Sequence, residues 1–195
     1  MANLITLART LLAFLVVAML RVQTPGIYLT AIVLTLALIS MDALDGYVAR
    51  RLKEATKFGA VIDILGDRVI ESTYWIMFAV LGWIPVWVAI VVVARGIVVD
   101  GVRALAFERG LTAFGSTSMM KSTIGALLVS SRASRALYGV GKALAFSLMI
   151  LLFTPGAVAY LGDAIRLIAY ASVYATVFLC VVRGVPVLLE ARRLV

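Results

Sequence analysis

The chain has 195 residues, 64% of them hydrophobic, with a formal net charge of +8 and a mean hydropathy of +1.10. Soluble domains are about 45–50% apolar, so one soluble core cannot absorb this excess and lipid is the expected solvent. A single cysteine, Cys180, and no histidine exclude an internal disulfide, cysteine or HExxH zinc sites, a haem histidine and Ser-His or Cys-His nucleophile pairs. Any catalysis must use carboxylates, Lys, Arg, hydroxyls and metals.

Six apolar segments approach the roughly 20 residues that a helix needs to cross a bilayer core. They are residues 5–20, 26–41, 60–80, 84–105, 136–153 and 158–182. The first has an early Arg but ends in Met19, Leu20 and Arg21 without a small-x-small cleavage site, so it reads as a retained helix. Breakers fall at Pro25-Gly26, at Gly82 through Pro85 and at Pro155-Gly156. The segment 108–135 is the most polar, with room for a short interfacial helix around Met119 to Val129. No repeat, low-complexity tail or second domain is evident, so one domain spanning 1–195 is expected.

If these helices alternate, twelve loop and terminal basic residues share one face: Arg9, Arg50, Arg51, Lys53, Lys57, Arg109, Lys121, Arg132, Arg135, Arg183, Arg192 and Arg193. The other face has Arg21 and Arg166, while Arg68, Arg95, Arg103 and Lys142 lie within helices. The positive-inside bias puts both termini and the 50–58 and 108–135 loops in the cytoplasm. Basic residues flanking apolar runs answer to topology and anionic lipid rather than to nucleic acid. Trp75, Trp83 and Trp87 are expected near the outer interface, Met119, Met120 and the phenylalanines in packing, and Cys180 inert in an apolar run.

Of only ten acids, five stand in the window 42–67, and four of these are aspartates. Asp42 and Asp45 are i,i+3 and share a helix face; Asp63 and Asp67 are i,i+4 and share another. The short loop between the second and third helices lets them run antiparallel, so the two acidic faces can meet. Four carboxylates at the edge of hydrocarbon must protonate, pair with cations or bind metal. Their hard oxygens suit Mg²⁺, Mn²⁺ or Ca²⁺, and two divalent ions would balance four charges and clamp a diphosphate. Gly46 and Gly59 lie on the acidic faces and allow close approach; Ala49 continues the Asp45 row, and Arg50 offers a fork for phosphate. The bland alternative pairs these acids with Arg50, Arg51, Lys53 and Lys57.

Residues 42–67 read DALDGYVARRLKEATKFGAVIDILGD. This resembles the signature of the CDP-alcohol phosphotransferases, D-x2-D-G-x2-A-R-x8-G-x3-D-x3-D, and each of the eight fixed positions matches: Asp42, Asp45, Gly46, Ala49, Arg50, Gly59, Asp63 and Asp67. The opening NLITLAR, Asn3 to Arg9, is similar to the N-L-x-T-x-x-R of many members, phosphatidylglycerophosphate synthases above all. The resemblance implies an all-α polytopic membrane fold of six transmembrane helices. It implies attack of an acceptor hydroxyl on the lipid-side phosphorus of CDP-diacylglycerol, with release of CMP. By the same resemblance Asp42, Asp45, Asp63 and Asp67 bind two Mg²⁺ or Mn²⁺ ions, Asp67 is the general base, and Gly46, Ala49, Arg50 and Gly59 line the CDP site. Dimers are common in the family, and small residues on these helices permit one.

The acceptor is read from cations. Arg95, Arg103 and Lys142 within helices, and Lys121, Arg132 and Arg135 in the polar loop, are candidates to hold a second phosphate, as in glycerol 3-phosphate. Against this, Arg103 with Asp100 and Arg68 with Glu71 sit at i,i+3 and can pair internally. RGIVVDGVRALAFERG, Arg95 to Gly110, is similar to the matching stretch of phosphatidylglycerophosphate synthases, which usually carry an acid where Gly96 stands. Their G-K-x-K-T element has only partial echoes in MKS, Met120 to Ser122, and GKALAF, Gly141 to Phe146. Inositol phosphate and serine therefore stay open as acceptors. Two other classes place acids on membrane helices: prenyltransferases, which are longer with different spacings, and ion or metal transporters, whose acids spread across membrane depth.

Overall fold

A computed structural model describes the backbone of residues 2–51, 57–108, 110–111, 120, 122 and 125–192, and the side chains of these except 2–3, 42–51, 57–58 and 60. Seven α-helices and one π-helical turn make up the described residues, which contain no strand: α1 Ala2–Met19, α2 Pro25–Arg51, α3 Lys57–Val80, α4 Val86–Glu108, a π-helical turn Ala126–Ser130, α5 Arg132–Leu152, α6 Ala157–Leu161 and α7 Ala164–Ala191. The six apolar segments each correspond to a long helix, but the helices run past the apolar stretches. α2 carries the signature as far as Arg51, and α7 continues through Pro186. The expected interfacial helix around Met119 to Val129 falls largely outside the described residues; its described end is the π-helical turn.

Among the described residues two helices are long and apolar enough to cross a membrane, Arg132–Leu152 and Ala164–Ala191, and shorter apolar stretches run over Leu4–Met19 and Pro25–Met41. α3 and α4 carry too many charges, among them Asp63, Asp67, Arg68 and Glu71 on α3 and Arg95, Asp100 and Arg103 on α4. Large apolar side chains nevertheless point outward all round, including Leu4 and Leu11 on α1, Ile97 on α4 and Leu167 and Phe178 on α7. Water would not tolerate so much contiguous apolar surface.

Local chemistry explains the ends. Pro25 opens α2, where a missing N–H costs nothing. The α3–α4 turn is a Schellman motif: Trp83 N–H donates to Phe78 O at 2.9 Å and Gly82 N–H to Ala79 O at 3.1 Å, with Gly82 at φ +72°, where a side chain would be strained. Ser131 caps α5 by accepting from Ser134 N–H at 3.1 Å.

α1 packs on α2 and α3, α2 on α5, α3 on α4, and α7 on α4 and α5. An aromatic cluster fills the centre. Phe146 of α5 stacks on Tyr74 with ring centroids 4.6 Å apart and meets Trp75 and Phe78 edge-on at 5.2 and 5.7 Å. Trp83 stacks on Phe153 at 4.5 Å. Trp75 and Trp83 therefore belong to the core and not to an outer belt: i,i+3 and i,i+4 spacing sets Tyr74, Trp75 and Phe78 on the α3 face that meets α5. Trp87 alone of the three tryptophans is exposed. Met120 packs with Val99, Ala106, Val129 and Val187 in a smaller cluster, and Cys180 is buried with a free thiol.

Phe146→Ala should lower the unfolding stability by about 3 kcal/mol or more, since truncating a buried aromatic loses its contacts and leaves a cavity. Thermal unfolding of the detergent-solubilised protein measures this, and Phe146→Leu should retain most of the stability.

Candidate active site

Spacing of i,i+4 places Asp63 and Asp67 on one face of α3. That face meets α1. A Cβ on Gly66 would collide with Cγ2 of Thr6, so glycine is what lets the two helices close. The close approach brings in Arg9, buried at 3% exposure, whose Nη2 donates to Asp67 Oδ1 at 3.1 Å and whose Nη1 lies 3.8 Å from Asp63 Oδ1. Arg9 is thus a buried ion-pair partner and not the loop cation that charge patterning suggested. The two carboxylates are themselves accessible, at 45% exposure for Asp63 and 37% for Asp67.

Asp42 and Asp45 lie on α2, as do Gly46, Ala49 and Arg50, with side chains outside the described residues. Gly59 occupies the first turn of α3. The hydroxyls of Thr35 and Tyr74 share a buried hydrogen bond of 2.8 Å, which links α2 to α3. Position 42 follows Thr35 by seven residues and position 67 precedes Tyr74 by seven. At the usual rise, seven residues span about 10 Å of helix axis, so each position lies that far along its own helix from the bond.

Among the described residues no three potential ligands cluster as a metal centre. Two accessible aspartates on one face, already drawing a guanidinium, are nonetheless the donor set that hard divalent cations take. The α3 face fits such ions.

One turn deeper lies a second charged cluster, spread over four helices. Arg68 of α3 donates from Nε to Asp100 Oδ2 of α4 at 2.6 Å and from Nη2 to Oδ1 at 3.3 Å, and pairs through Nη1 with Glu71 at 3.0 Å. Arg103 reaches Asp100 at 3.4 Å. Both i,i+3 pairs read from the sequence are therefore formed. Glu71 is buried and also takes Lys142 Nζ of α5 at 3.6 Å and the Tyr138 hydroxyl. Lys142 and Arg183 lie over the Tyr138 ring at 5.1 and 5.4 Å, and Arg183 donates to Ser134 Oγ at 2.7 Å. Arg95 of α4 lies against Gly184 of α7, where a Cβ would stand 3.0 Å from its Nε. That Nε is buried without a hydrogen-bond partner. A cavity of about 170 Å³ between α3 and α4 opens onto Arg68, Glu71, Gly96 and Asp100.

Of the acceptor candidates, Arg95, Arg103 and Lys142 come together in this cluster. Arg132 and Arg135 stand at exposed positions in the first turn of α5, and Lys121 lies outside the described residues. Sequence reasoning missed Glu71 as a hub, Tyr138, and Arg183, counted as a loop cation although it is buried within α7. Ser134, Tyr138 and Lys142 at i,i+4 spacing on α5 were a visible signal; nothing local to Arg183 was.

Arg9→Gln should lower the melting temperature in chelator, because Asp63 and Asp67 lose their guanidinium. Added Mg²⁺ or Mn²⁺ should recover more stability in this variant than in the unaltered protein; an equal or smaller shift would count against cation binding here.

A model of the CDP-alcohol phosphatidyltransferase family matches residues 1–182. The CDP-diacylglycerol–glycerol-3-phosphate 3-phosphatidyltransferase of Bacillus subtilis is 33% identical over 79 residues, which is 40% of this chain and 41% of that protein. The Mycoplasma genitalium protein of the same name is 36% identical over 76 residues, 39% of this chain and 32% of its own length. A putative cardiolipin synthase of Mycobacterium bovis is 31% identical over 88 residues, 45% of this chain and 42% of that protein. Each match thus spans less than half the length of the relative. With the family model covering nearly the whole chain, this protein belongs to the CDP-alcohol phosphatidyltransferase family, membrane-embedded transferases of phospholipid biosynthesis.

Proposed function

We propose that the chain is a single-domain enzyme of six transmembrane helices that transfers the phosphatidyl group of CDP-diacylglycerol to glycerol 3-phosphate and releases CMP. Both termini and the site face the cytoplasm, where the polar donor head and the acceptor are found. The observation that carries the reaction class is the accessible acidic face of α3, with Asp63 and Asp67 drawn onto one cation, inside a stretch that matches the family signature at every fixed position.

In this reading Asp42, Asp45, Asp63 and Asp67 hold two divalent cations, Mg²⁺ or Mn²⁺. When bound, such ions neutralise the diphosphate and the charge that builds on departing CMP. Gly46, Ala49, Arg50 and Gly59 line the nucleotide side, and the small residues give it room. Asp67 accepts the proton of the acceptor hydroxyl at a carboxylate oxygen. A carboxylate that also serves cations is a weak base, so positioning of the hydroxyl must supply much of the rate.

The acceptor assignment rests on Arg95. A buried guanidinium nitrogen with no partner is costly unless a ligand completes it. Around it the four helices gather five cations, Arg68, Arg95, Arg103, Lys142 and Arg183, against two described carboxylates, Glu71 and Asp100. That excess suits the double charge of a phosphate better than the single carboxylate of zwitterionic serine. The names of the Bacillus subtilis and Mycoplasma genitalium relatives agree with it. Inositol phosphate carries the same phosphate and remains the second reading. A path for ions would need acids spread across membrane depth, whereas the four signature acids share one end of α2 and α3. A homodimer is compatible with the outward-facing helices.

The purified protein should release CMP from CDP-diacylglycerol with glycerol 3-phosphate in Mg²⁺ or Mn²⁺ and not in chelator. Asp67→Asn should reduce kcat by a factor on the order of 10² or more, and Arg95→Ala should raise the KM for glycerol 3-phosphate with little change for the donor. CMP release with serine and none with a phosphorylated alcohol would reassign the acceptor, and release with no acceptor at all would overturn the reaction class.

A further inference from the structure

Glu71 extends the Asp63–Asp67 row of α3 by one more turn, but its environment is inverted. The two aspartates are accessible, whereas Glu71 is 3% exposed. Both its oxygens are engaged: Oε1 accepts from the Tyr138 hydroxyl, and Oε2 takes Arg68 at 3.0 Å and Lys142 at 3.6 Å.

Arg68 has little need of Glu71, because Asp100 already meets it with two oxygens. The cluster also stays cation-rich with Glu71 present, so neutralisation is not what this carboxylate accomplishes. Lys142 is different. Its one described ion pair is with Glu71, and its ammonium otherwise lies over the Tyr138 ring, whose hydroxyl Glu71 also holds. A lysine has three donors on a flexible four-carbon stem and takes direction only from what it touches. At 22% exposure it can meet a ligand with the donors that remain. The ring also supports Arg183 from α7, which Ser134 holds from the other side. One carboxylate thus fixes the ring against which two cations, from α5 and α7, are laid.

We infer that Glu71 is a positioning residue for the acceptor: through Tyr138 and its own ion pair it aims Lys142, and with it Arg183, at the phosphate of the incoming alcohol. This rests on the reading that the cation cluster holds an acceptor phosphate. Glu71 touches neither substrate nor the reacting atoms; it acts on selectivity and KM through the groups it holds.

The test is steady-state kinetics of the full-length protein in detergent with CDP-diacylglycerol and glycerol 3-phosphate. Glu71→Gln should raise the acceptor KM by tenfold or more, while the donor KM and the Mg²⁺ dependence stay within twofold. Lys142→Met should do the same, and the double variant should fall well short of the product of the two single effects, because Glu71 acts in part through Lys142. Glu71→Asp keeps the charge but withdraws it by one methylene, and should fall between Glu71→Gln and the unaltered protein; it also serves if Glu71→Gln does not fold. A lowered melting temperature with both KM values unchanged, donor and acceptor KM rising together, or multiplying effects in the double variant would overturn the assignment. Failure of the parent reading looks different: no CMP would form with glycerol 3-phosphate in the unaltered protein. Glu71 is then tested by thermal stabilisation with inorganic phosphate in chelator, where Glu71→Gln should need at least tenfold more phosphate, and an equal requirement would exclude the role.

Discussion

A charge inside an apolar bundle must find its compensation within the bundle, and that constraint orders this molecule. Transfer of an unpaired ion out of water costs several kcal/mol even after relaxation, and here α3 alone brings Asp63, Asp67, Arg68 and Glu71 among the helices. Each is met from another element: Arg9 from α1, Asp100 from α4, and Tyr138 and Lys142 from α5. The ion pairs therefore do more than neutralise. They decide which helices surround α3 and at what depth, and the aromatic cluster of Tyr74, Trp75, Phe78 and Phe146 fills the space that remains.

The arrangement also separates two kinds of charged site by about one helical turn. Above, two accessible aspartates stand beside the buried Arg9. Below, Arg68, Arg95, Arg103, Lys142 and Arg183 gather around two described carboxylates, Glu71 and Asp100. The proposed reaction between a diphosphate donor and a phosphorylated alcohol calls for both kinds, adjacent and distinct. α3 supplies a residue to each from consecutive positions, Asp67 and Arg68.

Much of this was legible in the sequence, and the exceptions share a cause. The helices followed from apolar length, the Asp63–Asp67 face from i,i+4 spacing, and the pairs Arg68–Glu71 and Arg103–Asp100 from i,i+3 spacing, because these are properties of one helix. Arg9, Arg183 and Trp83 were misplaced because their surroundings come from other helices. Charge counting assigned both arginines to a membrane face although each is buried against side chains far away in sequence. The Lys142–Glu71 contact joins positions too distant for any periodicity to pair. Gly66 and Gly184 carried the hint in hindsight: a glycine within a helix marks where another element comes close, yet nothing local says which one.

The last turn of α7 shows how far such contacts reach. Glu190 is buried there and accepts the Ser122 backbone N–H at 3.0 Å, and Pro186, one turn earlier, stands beside Gly125 with Met120 close by. Met120, Ser122 and Gly125, between α4 and α5, are thus held against the last turns of α7. Deleting or fusing onto the final helical turn would loosen these residues from a distance, and a tag placed there for purification alters more than the tail it extends.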